Sequence, residues 1–131
     1  MVGFSVNTPN NVSGGVMTFS TTVTNVGNGY DMDTGIFTCT TPGYYFITVS
    51  LLKEWDHHSW TQCSILKNSD NLVWAYTDTS DSHNSHTTAV ASVLVHLSVG
   101  DQVKLAHCTA INTFVGDRSS TFSGFLVAPD A

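Results

Sequence analysis

The sequence predicts an all-β fold, an antiparallel sandwich or jelly roll, on three observations. β-branched and aromatic residues dominate its apolar positions. Few stretches keep apolar residues at the three-and-four spacing of a helix, whereas several alternate with period two. Short polar clusters recur between those stretches, as turns joining strands would. At 131 residues the chain has room for one core, and folding can remove roughly two-thirds of the unfolded surface from water at that size. No linker, repeat or low-complexity run divides it, so residues 1–131 are expected to be one domain.

In chain order, strands are expected over residues 3–6, 18–24 and 36–39, followed by a long one over 43–52. There Tyr45, Ile47, Val49 and Leu51 share one face, with Tyr44, Phe46, Thr48, Ser50 and Leu52 on the other. A strand apolar on both faces belongs in the centre of a sheet. Strands 60–67 and 72–78 flank the turn Asn68-Ser69-Asp70-Asn71. Ala89, Ala91, Val93, Val95, Leu97 and Val99 again share a face. Gly100-Asp101 then leads into Val103-Lys104-Leu105, which predicts a hairpin between two core strands. His96 and His107 are expected in those strands as neutral imidazoles with one hydrogen-bond partner. The last strand is expected over 121–128.

Ten acidic residues against four basic ones give a net charge of −6. Nothing supplies the basic stripe that nucleic acid requires, and attraction to anionic membranes is disfavoured for the same reason. Apolar runs such as Val93-Leu94-Val95 fall far short of the ~20 residues of a spanning helix. Charged residues are only 11% of the chain, and Thr, Ser, Asn and Gly carry most of its polarity, which suits a secreted, extracellular β-protein. No basic-then-apolar leader precedes Val2, so a mature form is expected. Asn11-Val12-Ser13 fits an N-glycosylation sequon. Cys39, Cys63 and Cys108 lack CxxC spacing and allow at most one bridge, leaving one thiol.

The order and spacing of Phe19, Asn25, Tyr30, Phe37, Gly43 and Tyr45 resemble the signature of the complement C1q globular-head family. Ile36-Phe37-Thr38-Cys39, Pro42-Gly43-Tyr44-Tyr45-Phe46, Val99-Gly100-Asp101-Gln102-Val103 and Phe122-Ser123-Gly124-Phe125-Leu126 are similar to that family too, and in its order. The resemblance covers nearly the whole chain. It departs where Ile47 and Val49 replace aromatic residues, and where the strand around Trp74-Ala75-Tyr76 lacks a cysteine to pair with one near Cys63. The resemblance implies a ten-stranded antiparallel jelly-roll sandwich of the C1q/tumour necrosis factor type, forming a homotrimer. Tyr45, Phe46, Phe125 and Val127 are then expected at the threefold axis or in the core. No Gly-x-y repeat is attached, so a head without a stalk is expected.

Two stretches could carry binding chemistry. Trp55, Asp56, His57, His58 and Trp60 gather indoles, imidazoles and a carboxylate in a predicted connection; a sugar presents C–H faces to aromatic rings and hydroxyls to polar partners. Trp74, Tyr76, His83 and His86 form a second candidate, running into the polar loop after Asp78. Calcium is held there in some relatives, and Asp78 and Asp81 offer oxygen ligands, although no EF-hand spacing supports them. No cofactor is required by this reading.

Catalysis is not expected. There is no Gly-x-Ser-x-Gly elbow and no cysteine-protease context. A metal-dependent hydrolase would need His and acidic side chains converging on one ion. The expected function is non-enzymatic pattern recognition of glycans or microbial surface polymers, in the manner of head-only invertebrate C1q-domain proteins of innate immunity. The alternative is a cytokine-like or structural module that grips protein ligands.

Overall fold

A computed structural model describes residues 1–13, 15–54, 60–78, 86–109 and 113–131. Among these lie ten strands: β1 (Gly3–Ser13), β2 (Val16–Val26), β3 (Tyr30–Asp31), β4 (Ile36–Thr38), β5 (Gly43–Leu52), β6 (Trp60–Lys67), β7 (Asp70–Asp78), β8 (Thr88–Leu97), β9 (Gln102–Ala106) and β10 (Thr121–Pro129). They pair antiparallel throughout. One layer runs β2-β1-β10-β5-β8 and the other β3-β4-β9-β6-β7, with the Val16↔Ala106 pair joining them. This is the ten-stranded jelly roll that the resemblance implies.

Aromatic residues of the motif fill the space between the layers. Phe4 stacks on Tyr30 at 4.9 Å and on Phe37 at 5.1 Å, and meets Phe122 edge-on. Phe37 in turn contacts Tyr45 of the opposite layer at 5.7 Å. Asn25 fixes the entry to β3: its Nδ2 donates to the Tyr30 carbonyl and its Oδ1 accepts from the Tyr30 N–H. A Cβ on Gly124 would sit 2.7 Å from Ile47 and 2.8 Å from Phe4, so the absence of a side chain lets the layer pack closely there.

Period-two alternation places the predicted inward set of β5 in the core: Tyr45, Ile47, Val49 and Leu51 are all buried. Phe46, Phe125 and Val127 point out of the same layer, away from the core. Leu94, Phe46 and Phe125 lie in register across β8, β5 and β10, forming an apolar row on that outer surface. Phe46 and Phe125 touch at 5.8 Å between ring centres.

Three expectations are corrected. Strands β8 and β9 are not a hairpin. β8 pairs along its whole length with β5, whereas β9 lies between β4 and β6 in the other layer. The Gly100-Asp101 turn is held to Cys39, which receives the Gly100 N–H and donates to the Asp101 carbonyl, and it carries the chain between layers. His96 lies in β8 with one hydrogen-bonding partner, as expected, but on the outer face of the layer, whereas His107 lies outside the strands. His96 shares the outward parity of Leu94 and pairs with Asp130 at 2.9 Å. His107 follows the end of β9 with φ +54 and is exposed. The short strand β3 and the length of β1 also exceed what local pattern suggests, because both depend on a partner across the sheet.

Cys63 is bonded to Cys108, tying β6 to the segment after β9, and Cys39 remains a buried thiol. The partner that the β7 strand lacks is thus supplied by a segment distant in sequence. Burial, above all, raises the Cys39 thiol from its ordinary value, so it stays protonated and unreactive.

Candidate functional site

The exposed aromatic side chains of the chain's second layer gather on its outer surface. In β7, Trp74, Tyr76 and Asp78 alternate outward while Ala75 is buried. In β6, Trp60 stands opposite Asp78 and Gln62 opposite Tyr76. The Trp60 and Tyr76 rings are 6.4 Å apart and nearly parallel, 24° between planes. They remain 42% and 53% exposed, so each presents a face to solvent. The Tyr76 hydroxyl donates to Asp78 Oδ2 at 3.3 Å. Desolvation, followed by the Asp78 charge and this hydrogen bond, raises the Tyr76 phenol above its ordinary value. The phenol therefore keeps its proton at neutral pH and serves as the donor to Asp78.

Further along the same surface Trp74, 44% exposed, lies beside the His107 imidazole with ring centres 6.0 Å apart. His107 reaches it from the end of β9 across Ser64, which is paired with both Trp74 and Ala106. The surface thus carries two aromatic pairs, Trp60 with Tyr76 and Trp74 with His107. Sequence reasoning placed His107 in a core strand and missed the second pair. The signal for Trp74 was present in its two-residue spacing from Tyr76, whereas the position of His107 depends on a turn that local pattern does not reveal.

Of the residues expected to bind ligand, Trp60 and Tyr76 are brought together. His86 is exposed just before β8, next to Thr87, whose hydroxyl meets that of Thr77 at 3.1 Å, and it contributes, after Ser119, to lowering the Asp117 carboxyl. Trp55, Asp56, His57, His58, Asp81 and His83 lie outside the described residues. The strand ends that bound their segments are adjacent, since Trp60 pairs with Asp78 and Leu52 with Thr88. Calcium requires six to eight oxygen ligands. Among the described residues no group of three or more His, Cys, Asp and Glu side chains converges, so these residues by themselves do not form a calcium cage around Asp78.

Comparison with known proteins places this antiparallel sandwich in a family. The family model for the C1q domain matches residues 1–127. The chain is 31% identical over 133 aligned residues to a complement C1q subcomponent of Bos taurus, covering 98% of this chain and 52% of that protein. It is 37% identical over 123 residues to a complement C1q subcomponent of Rattus norvegicus, covering 88% of this chain and 45% of that one. The chain therefore spans about half the length of these curated relatives. The globular domain of the zebrafish complement 1qA protein superposes with a TM-score of 0.76 at 20% identity, covering 99% of this chain and 100% of that structure. The chain belongs to the C1q domain family and is a recognition module of the C1q type. Among the described residues no helix is long and apolar enough to cross a membrane.

Proposed function

We propose that the protein is a secreted pattern-recognition module that binds glycans of microbial surfaces as a homotrimer. The observation that carries the reading is the Trp60–Tyr76 pair with Asp78 beside it. Two near-parallel rings offer apolar faces to sugar C–H groups, and the carboxylate accepts hydrogen bonds from sugar hydroxyls. An aromatic face needs no cofactor to act in this way.

The trimer is supported by the other outer surface. Leu94, Phe46 and Phe125 form an apolar row in which Leu94 and Phe125 are exposed and Phe46 half-buried, with Val90 and Val127 exposed on the same strands β8 and β10. A contiguous apolar patch of this kind is suited to burial against further copies. With the apolar layer turned to the axis, the aromatic layer of each copy faces outward. Three weak sites at fixed spacing then convert modest contacts into tight binding of a repetitive polymer.

The test is a glycan array probed with protein of verified trimer mass, with and without calcium. Selective signal on related glycans, lost in a Trp60→Ala, Tyr76→Ala double variant, is the expected result. A blank array from an intact trimer under both conditions would reject glycan recognition in favour of a protein ligand.

A further inference from the structure

One end of the aromatic surface opens into a cleft of about 350 Å³ that the ring stacking does not use. Gly15, Val16, Leu66 and Ala106 form its walls, drawn from the β1–β2 turn, β2, β6 and β9. Its functional groups are Lys104, His107 and Ser69. Each can donate a hydrogen bond: an ammonium, an imidazole N–H and a hydroxyl. No carboxylate lines the cleft among the described residues.

Lys104 has no ion-pair partner among the described residues, unlike Lys67, which lies 3.8 Å from Asp101. Asp101 is itself engaged: its carboxylate also accepts from the Ser98 N–H and from Asn68 Nδ2. In a chain of net charge −6 with four basic residues, an unpaired cation in a concavity is a local exception to the overall field. His107 is held over the cleft by a left-handed backbone, φ +54, and by its contact with Trp74. Left-handed non-glycine residues cost backbone energy and collect at functional positions.

We infer that this cleft is an oxyanion subsite, and that the polymer bound on the aromatic surface is an acidic polysaccharide whose sulfate, phosphate or carboxylate group enters it. The inference rests on the glycan reading above and names its ligand class. Trp74 bridges the two parts: it adjoins the cleft through His107 and lies on the same face of β7 as Tyr76. A sugar ring against the aromatic surface and its charged substituent beside Lys104 would be held by neighbouring groups of one layer.

Matched neutral and sulfated glycans on one array, with wild type, Lys104→Ala, His107→Asn and Arg118→Ala, test it. Asn tolerates the left-handed backbone, so His107→Asn removes the imidazole while preserving the turn. Sulfated glycans are expected to bind about tenfold tighter than their neutral counterparts, an advantage that charge-assisted contacts supply. Lys104→Ala should abolish that margin, His107→Asn reduce it, and Arg118→Ala leave it, because Arg118 is exposed and does not line the cleft. Equal losses in Lys104→Ala and Arg118→Ala would show diffuse attraction and overturn the subsite. Equal binding of neutral and sulfated glycans would also overturn it, leaving the glycan reading standing. Inorganic sulfate is titrated in parallel, with the His107 ring resonances observed by NMR. Shifts there without binding of any glycan would overturn the polysaccharide as carrier and the glycan reading together.

Discussion

The two outer surfaces of the sandwich are built from the same kind of strand and have opposite chemistry. Outside the β2-β1-β10-β5-β8 layer, Leu94, Phe46 and Phe125 form a row without polar tips. Next to it, Ser5 and Ser123 close a hydroxyl pair at 2.7 Å, satisfying each other within the chain. Outside the β3-β4-β9-β6-β7 layer, Trp60, Trp74 and Tyr76 are equally exposed but alternate with Gln62, Asp78, Lys104 and His107. The apolar row is suited to excluding water against another apolar surface, and at one end, where Tyr44 meets the Asp130-paired His96 edge-on, this face turns polar. The second can hold a hydrated, hydroxyl-rich ligand, because each ring has a hydrogen-bonding neighbour. Exposure alone therefore does not assign a role; the groups between the rings do.

The largest expected effect tests the first surface. Replacing both Phe46 and Phe125 with Asp should convert the proposed trimer to monomers, since each copy would bring uncompensated charge into an apolar contact. Light scattering after size exclusion reads the mass, and an unchanged far-UV spectrum would show that the outward positions leave the fold intact. A persisting trimer would place the contact elsewhere.

Breaking the Cys63–Cys108 bond acts on the second surface. Cys63→Ser with Cys108→Ser should lower stability by about 2–4 kcal/mol in urea titration, without changing the mass in solution. The same change at Cys39 severs no covalent link, so a comparable loss there would mean that packing, not the bridge, dominates.

Ligand affinity supplies a smaller effect. Trp60→Ala or Tyr76→Ala should each weaken the proposed glycan binding roughly tenfold, the scale of one aromatic contact, while Val127→Ala on the opposite surface should not. Equal losses from both surfaces would erase the distinction drawn between them.

The smallest effect is electrostatic. The Ser98 N–H, then the Asn68 side chain and the Lys67 charge, hold the Asp101 carboxyl below its ordinary value. Its folded value is below its unfolded one, so its stabilisation is fully present above the unfolded carboxylate range and is lost as pH falls through the folded value. Melting temperature should therefore fall less steeply with acid, between about pH 5 and pH 2, in Asp101→Asn than in wild type. An identical slope in both would remove this carboxylate from the acid response.

How far each surface was legible follows from the range of the interactions that make it. Alternation along β5 separates Tyr45 and Ile47 from Phe46, because successive side chains must leave opposite faces of a strand. The same rule puts Trp74, Tyr76 and Asp78 together, and the turn at Asn68-Ser69 brings β6 beside them. The all-β class, the β6–β7 hairpin and the family motif were thus contained in local sequence. Tertiary structure alone decided that β8 and β9 part at Gly100 to join different layers, that Cys63 meets Cys108, and that His107 leaves the core line to stand beside Trp74. Each of these joins residues far apart in the chain, and periodicity records which way a side chain faces but not which strand lies next to it.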